Sequence, residues 1–230
     1  MARNVNHPTP DEPARPRSYD ASGRRAAAAE TRTAVMRAAS ELFLSQGYRA
    51  TTMAAIAERA GVAIDTIYAT CGKKPAILRE MIERAISGED AAIPALQRAY
   101  VQEIAQQPHA AAKLRRYARA VREIQPRLAP IVRVVQDAAA TEPALARRWQ
   151  EIAERRAANM RLLAAELIAT GEIRPDLTVE EIADMIWATN GTEFHDLLVT
   201  QRGWSLDRFE AFLADTWCRW FLADPAQATL

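Results

Sequence analysis

The sequence predicts an all-α protein of about nine or ten helices, a three-helix helix-turn-helix unit carried ahead of a larger helical body. Three observations carry this. No segment alternates persistently with period two, whereas apolar residues recur at spacings of three and four throughout. Proline, glycine, serine and threonine fall between the stripes, where helices start and stop. Residues 51–68 read as two short helices joined by a tight glycine turn.

Residues 1–25 hold Pro8, Pro10, Pro13 and Pro16 among polar neighbours, too little apolar surface to fold alone, and are expected to form a disordered arm. Its Arg15, Arg17, Arg24 and Arg25 suit a DNA backbone or minor groove. The first helix, 27–46, puts Val35, Ala39, Leu42 and Phe43 on one face and stops at Gly47. Thr51 or Thr52 caps the second. Gly61 ends it, because a left-handed residue is cheap only for glycine. Ile56, the small Ala57, Ala60, Val62 and Ile67 lock the third helix across the second, which turns Ile64, Asp65, Thr66 and Tyr68 outward. A fourth helix begins near Lys74-Pro75, striped by Ile77, Leu78, Met81, Ile82 and Ala85.

Further along, Pro94 should open a helix running to about Gln107. Pro108 opens one with Leu114, Tyr117, Ala118, Val121 and Ile124, and Pro126 with Pro130 brackets the start of another with Ile131, Val134 and Val135. Glu142-Pro143 begins a long helix that ends at Gly171. Thr178 caps one reaching about Gln201, and Ser205 caps the last, through Phe209, Phe212, Leu213, Trp217 and Phe221. The predicted units are the arm 1–25, a helix-turn-helix domain 26–73 and a helical body 74–230.

Residues 1–88 carry 13 Lys and Arg against 9 Asp and Glu, and residues 89–230 carry 17 against 20. A basic unit on an acidic body suits a module that faces DNA. No apolar run is long enough to span a bilayer and the N-terminus lacks a secretory core, so the cytoplasm is expected, with no membrane partner. Cys71 and Cys218 lie too far apart in sequence to suggest a disulfide framework or metal cluster. The alternative of an all-α enzyme finds no nucleophile–base pairing, no phosphate-cradling glycine loop and no metal set, and no cofactor is expected. A regulator that works without a ligand, or senses oxidants through Cys71, is the other alternative.

The run Phe43-Leu44-Ser45-Gln46-Gly47-Tyr48-Arg49-Ala50-Thr51-Thr52, followed by Ile56-Ala57, Ala60-Gly61-Val62, Thr66-Ile67-Tyr68, Lys74 and Ile77-Leu78, closely resembles the N-terminal domain of TetR/AcrR-type bacterial transcriptional repressors over residues 30–84. The resemblance implies a homodimeric repressor on a palindromic double-stranded DNA operator, released when a small molecule binds the body. It implies phosphate contacts for Thr52, Tyr68 and Lys74, and an exposed reading face of Ala63, Ile64, Asp65, Thr66 and Ala69. Of these, Ile64 suits a thymine methyl, Thr66 a base or phosphate, and Asp65 a cytosine amino group. Ala63 stands where the family often has serine, and Cys71 where it usually has an aromatic.

For the body, Trp149, Met160, Trp187 and Phe194 are candidates to line a pocket for an apolar or aromatic effector. Polar residues inside apolar stripes add Asn190, Asn159 and Tyr117, with Arg133 and His195 weaker. His195 has no second ligand at metal spacing. The broad apolar faces of 179–201 and 206–222 imply a two-fold four-helix dimer interface over residues 179–222.

Overall fold

A computed structural model describes residues 21–89, 93–140 and 143–224. Residues 1–20 of the predicted arm lie outside them, while residues 21–25, expected to belong to the arm, form the first turn of a helix instead. Among the described residues the chain forms ten α-helices: α1 (Ala21–Ala50), α2 (Met53–Ala60), α3 (Ile64–Thr70), α4 (Lys74–Ser87), α5 (Ala99–Gln106), α6 (Ala110–Ala139), α7 (Pro143–Ile168), α8 (Val179–Thr189), α9 (Thr192–His195) and α10 (Leu206–Phe221). No β-strand occurs among them, only one isolated antiparallel bridge between Ile173 and Leu222.

Two buried clusters organise these helices. The first gathers Val35, Ala39 and Phe43 of α1, Ile56, Ile67, and Ile77, Leu78, Met81 and Ile82 of α4. The second gathers α6 around Leu114 and Ala118, α7 around Ala164 and Leu167, and Ile182, Ile186, Phe209, Leu213, Trp217 and Phe221. The helix α6 belongs to both. Its first half buries Leu114 to Val121 in the body, and its last turns bury Ile131, Val135 and Ala138 against the helix-turn-helix unit.

That shared helix corrects one expectation. Pro126 and Pro130 do not start a new helix but lie inside α6. Each removes a backbone donor, a cost of about 3 kcal/mol in an isolated helix. Apolar burial on either side of the pair holds the helix continuous. Two other predicted helices are broken. Pro94 caps a single 3₁₀ turn, Ala95–Gln97, and the backbone turns extended at Arg98 before α5 begins. The helix capped by Thr178 stops at Thr189, because Asn190-Gly191 interrupts it and a π-helical stretch, Asp196–Gln201, follows α9. The gap comes where Asn190 turns its polar groups into the body rather than continuing an apolar stripe.

The remaining ends follow the sequence signals. Thr178 caps α8 through a reciprocal box with Glu181, and Ser205 accepts from the Arg208 amide at the start of α10. Gly47, inside the span of α1, holds φ 83° and ψ 165°. That region is all but closed to residues with a Cβ. A Cβ there would meet no atom within 4 Å, so Gly47→Ala tests backbone strain alone. It should lower stability by about 1–3 kcal/mol, read as an earlier urea midpoint at unchanged slope. An unaltered midpoint would show that the kink relaxes freely.

Candidate nucleic-acid interface and effector cavity

The turn between α2 and α3 takes the geometry a helix-turn-helix requires. Thr52 lies just ahead of α2 in extended conformation, and its Oγ1 accepts the Ala55 amide at 3.0 Å. Gly61 adopts φ 69°, ψ 32°, and Val62 N donates to Ala57 O at 3.1 Å. Ile56, Ala57 and Ile67 are buried where the helices cross. With Ile67 fixed inward, helical spacing turns Ala63, Ile64, Asp65, Tyr68 and Ala69 to solvent, with Thr66 half-buried. Tyr68 is 46% exposed, so its ring and hydroxyl stand open to solvent on α3. Ala63 precedes α3 without a side-chain cap, so the α3 N-terminus presents bare amides beside Ile64 and Asp65.

Two charged side chains brace this unit. Glu80, on α4, is 8% exposed and takes Arg84 at 2.8 Å and the Arg32 guanidinium of α1. Arg32 also donates to the Thr70 carbonyl at the end of α3. Lys74, the first residue of α4, donates through Nζ to Tyr48 O at 2.9 Å and to Thr51 O at 3.0 Å, and lies 4.1 Å over the Tyr48 ring. The resemblance offered Lys74 to a phosphate; its Nζ is also bound to the turn that positions Thr52. Cys71 is buried in the same core, its Sγ 3.5 Å from Thr70 Oγ1.

The body holds a cavity of about 160 Å³ between α4, α5, α6 and α7, reaching Asn190. Of the residues singled out in the sequence, Tyr117, Asn159, Met160 and Asn190 line it. Trp149 instead borders a separate hollow of about 120 Å³ with Pro75, Leu78 and Ile82 of α4. Trp187 stands outside both, under the Arg156 guanidinium at 4.4 Å. Phe194 packs on Phe209 and Phe212, 6.3 and 6.4 Å between ring centres. Arg133 pairs with Asp196 at 2.7 Å, and His195 lies edge-on to Phe209, so neither joins the lining.

Sequence reasoning passed over Arg156 and Gln125, which also line the cavity. Their signal was periodic: Gln125 repeats the face of Tyr117 and Val121, and Arg156 that of Met160. Gln125 donates to Asn190 O at 2.7 Å and accepts from Thr192 Oγ1 at 3.2 Å. Asn190 Nδ2 donates to Tyr117 OH at 2.7 Å. Burial pushes the Tyr117 phenol well above its ordinary pKa, so the ring stays neutral, and burial likewise lowers that of Arg156. At the α4 end, Arg98 donates to Glu83 at 2.8 Å and to Ile93 O at 3.1 Å. Ile86, in the last turn of α4, touches the same hollow, so one helix links it to the turn braced by Lys74.

Among the described residues no helix is long and apolar enough to cross a membrane, and no three His, Cys, Asp or Glu side chains gather as metal ligands. No curated protein matches the chain in sequence. Residues 35–81 match the family model of bacterial regulatory proteins, tetR family. Among solved structures, the chain is similar to NalD, the secondary repressor of the MexAB-OprM multidrug efflux pump in Pseudomonas aeruginosa, at 20% identity and TM-score 0.62 over 84% of this chain and 96% of that one. It is similar to a transcriptional regulator from Saccharomonospora viridis in complex with choline at 19% identity and TM-score 0.61, covering 85% and 99%. Similarity to the regulator FadR from Bacillus subtilis in complex with stearoyl-CoA is 21% with TM-score 0.60, covering 80% and 96%. The helix-turn-helix segment of residues 35–81 thus matches the tetR family of bacterial regulatory proteins, and the chain as a whole shares the all-α fold of these regulators.

Proposed function

We propose that the chain is a homodimeric transcriptional repressor of the cytoplasm, released from a palindromic operator by a small apolar or aromatic effector. The observation that carries this reading is the solvent-facing side of α3, with Ile64, Asp65 and Tyr68 held outward by a buried Ile67 and flanked by the capped N-terminus of α2. In this reading Thr52 and Tyr68 hold phosphates and set the register, while Ile64, Thr66 and Asp65 read base edges between the short Ala63 and Ala69. Asp65 opposite anything but a cytosine amino group is repulsive, so it acts by rejecting wrong sequences. Lys74 adds a salt-sensitive share of affinity.

Dimerisation is assigned to the residue 179–222 segment. Leu197, Phe212 and Trp220 are exposed along its outer side, Phe212 at 38% and Trp220 at 37%, an apolar surface that a second copy would cover. Effector binding is assigned to the 160 Å³ cavity, since it contacts Ile86 of α4 and α4 carries Lys74. Choline and stearoyl-CoA in the neighbouring regulators support a ligand-holding body, and their dissimilarity means that neither chemistry transfers.

Capture of fragmented genomic DNA from the source organism on the purified protein tests this directly, with Tyr68→Ala as control. One palindrome should be enriched by the parent and lost with the variant. Enrichment of no sequence by protein stripped of bound small molecules would overturn the reading. Sedimentation at micromolar concentration should give a dimer, and a monomer would remove the proposed interface.

A further inference from the structure

Arg98 lines the 160 Å³ cavity although only 7% of the residue is exposed. An enclosed guanidinium needs a counter-charge, and Arg98 has only a share of one. Its Nη2 donates to Glu83 of α4 at 2.8 Å and its Nε to Ile93 O at 3.1 Å. The same Glu83 carboxylate takes Arg155 of α7 at 2.6 Å, so one carboxylate serves two guanidiniums. Arg98 Nη1 has no partner among the described residues, yet it is not sealed inside the protein as the unpaired Nε of Arg156 is.

The rest of the wall has the same imbalance. Glu166, the one carboxylate in the lining, lies 3.4 Å from Lys113. Arg156 donates to the Trp187 carbonyl, and Glu193 acts on it only from beyond ion-pair distance. Glu83 and Glu166 each answer a cation that does not line the cavity, so the wall carries positive charge in excess. Leu96, Val101, Ile104, Val121 and Leu163 make most of the remaining surface apolar. The complement of such a wall is an apolar body with one anionic end. A carboxylate is acceptor-only and matches the planar guanidinium, an alcohol would leave the charge unanswered, and an ammonium would add to it.

We infer that the effector is an apolar acid whose carboxylate lies on Arg98 and whose body rests against α5, α6 and α7. It shares Arg98 with Glu83, so its arrival weakens the bond that ties the start of α5 to α4. The inference rests on reading this cavity as the effector site and names the chemistry of its ligand.

Calorimetric titration of the purified protein with octanoate, 1-octanol and octylamine tests it, since the three share a chain and differ at one end. At neutral pH the acid is an anion and the amine a cation. Octanoate should bind about 10- to 100-fold tighter than octanol, the effect of one charged hydrogen bond, and octylamine should bind most weakly. Arg98→Met should bring octanoate down to the affinity of octanol while octanol still binds. The ranking in the parent protein decides the matter even if that variant fails to fold. Equal affinity for octanoate and octanol, tightest binding of octylamine, or an octanoate preference that survives in folded Arg98→Met would overturn the carboxylate assignment and leave the effector cavity standing. Binding of none of the three would overturn both.

Discussion

Glu80→Ala is expected to destabilise the helix-turn-helix unit by about 3 kcal/mol, the lower end of what removing one member of a buried ion pair costs. Glu80 sits at the meeting point of α1, α3 and α4. It holds Arg84 directly and, through Arg32, the Thr70 carbonyl that ends α3. With alanine in its place, Arg32, whose side chain is half-exposed, can turn to water, whereas Arg84 is largely enclosed and keeps a charge with no acceptor. That asymmetry places the effect at the lower rather than the upper end. For a domain of this size the thermal midpoint should fall by roughly 6–12 °C, with loss of DNA binding following the loss of fold. Glu80→Gln keeps an acceptor for Arg84 and should lose less. A midpoint within one degree of the parent for Glu80→Ala would show that the network contributes nothing net, as some buried pairs do.

The same carboxylate gives a pH dependence with a definite sign. Burial tends to raise the Glu80 pKa, but hydrogen bonds from Arg32 and Arg84, with their charges, outweigh it and hold the group below its ordinary value. A carboxylate lowered in the folded state stabilises it at every pH above the unfolded value, near ~4.3 for glutamate. The contribution disappears as pH falls through the lower folded value. Acid unfolding of the parent should therefore show a component below about pH 4 that Glu80→Gln lacks.

Much of the helix-turn-helix unit could be read from the chain because its determinants are local. A glycine that must be left-handed, a small residue at a crossing and a threonine that caps the next helix are each fixed within a few positions, and Gly61, Ala57 and Thr52 occupy those roles in space. The α4 stripe was legible for the same reason, since all five of its predicted apolar residues are buried. What the chain concealed depends on distant partners. Pro126 and Pro130 look like helix starts until both halves of α6 are seen buried in different cores. Trp187 and Asn190 are equally plausible wall residues by spacing, and only the position of α7 decides that Asn190 faces the hollow while Trp187 meets Arg156. Glu80 reads as a solvated helix residue until Arg32, 48 positions earlier, is brought against it.

Lys74→Ala should lower operator affinity by about 10- to 100-fold, the loss expected for one charged hydrogen-bonding group, and should do so by two routes. A lysine at the first position of a helix opposes the helix dipole, so its placement there calls for compensation. The Tyr48 and Thr51 carbonyls and the Tyr48 ring provide it, and in doing so they tie α4 to the segment immediately before the Thr52 cap. A purely direct phosphate contact would flatten the salt dependence of binding by about one unit per protomer, and its effect would add to that of Thr52→Ala. If the ammonium also fixes the turn that presents Thr52, the two substitutions share an effect and the double variant should lose less than the sum of the singles. Tyr68→Ala, whose ring is exposed on α3, should remain additive with Lys74→Ala and serves as the reference pair. Additivity in both cycles with a full unit of salt slope would reduce Lys74 to a charge on the surface. Sub-additivity with Thr52 alone would make it the residue through which movement of α4, one end of which borders the 160 Å³ cavity, changes the hold on DNA.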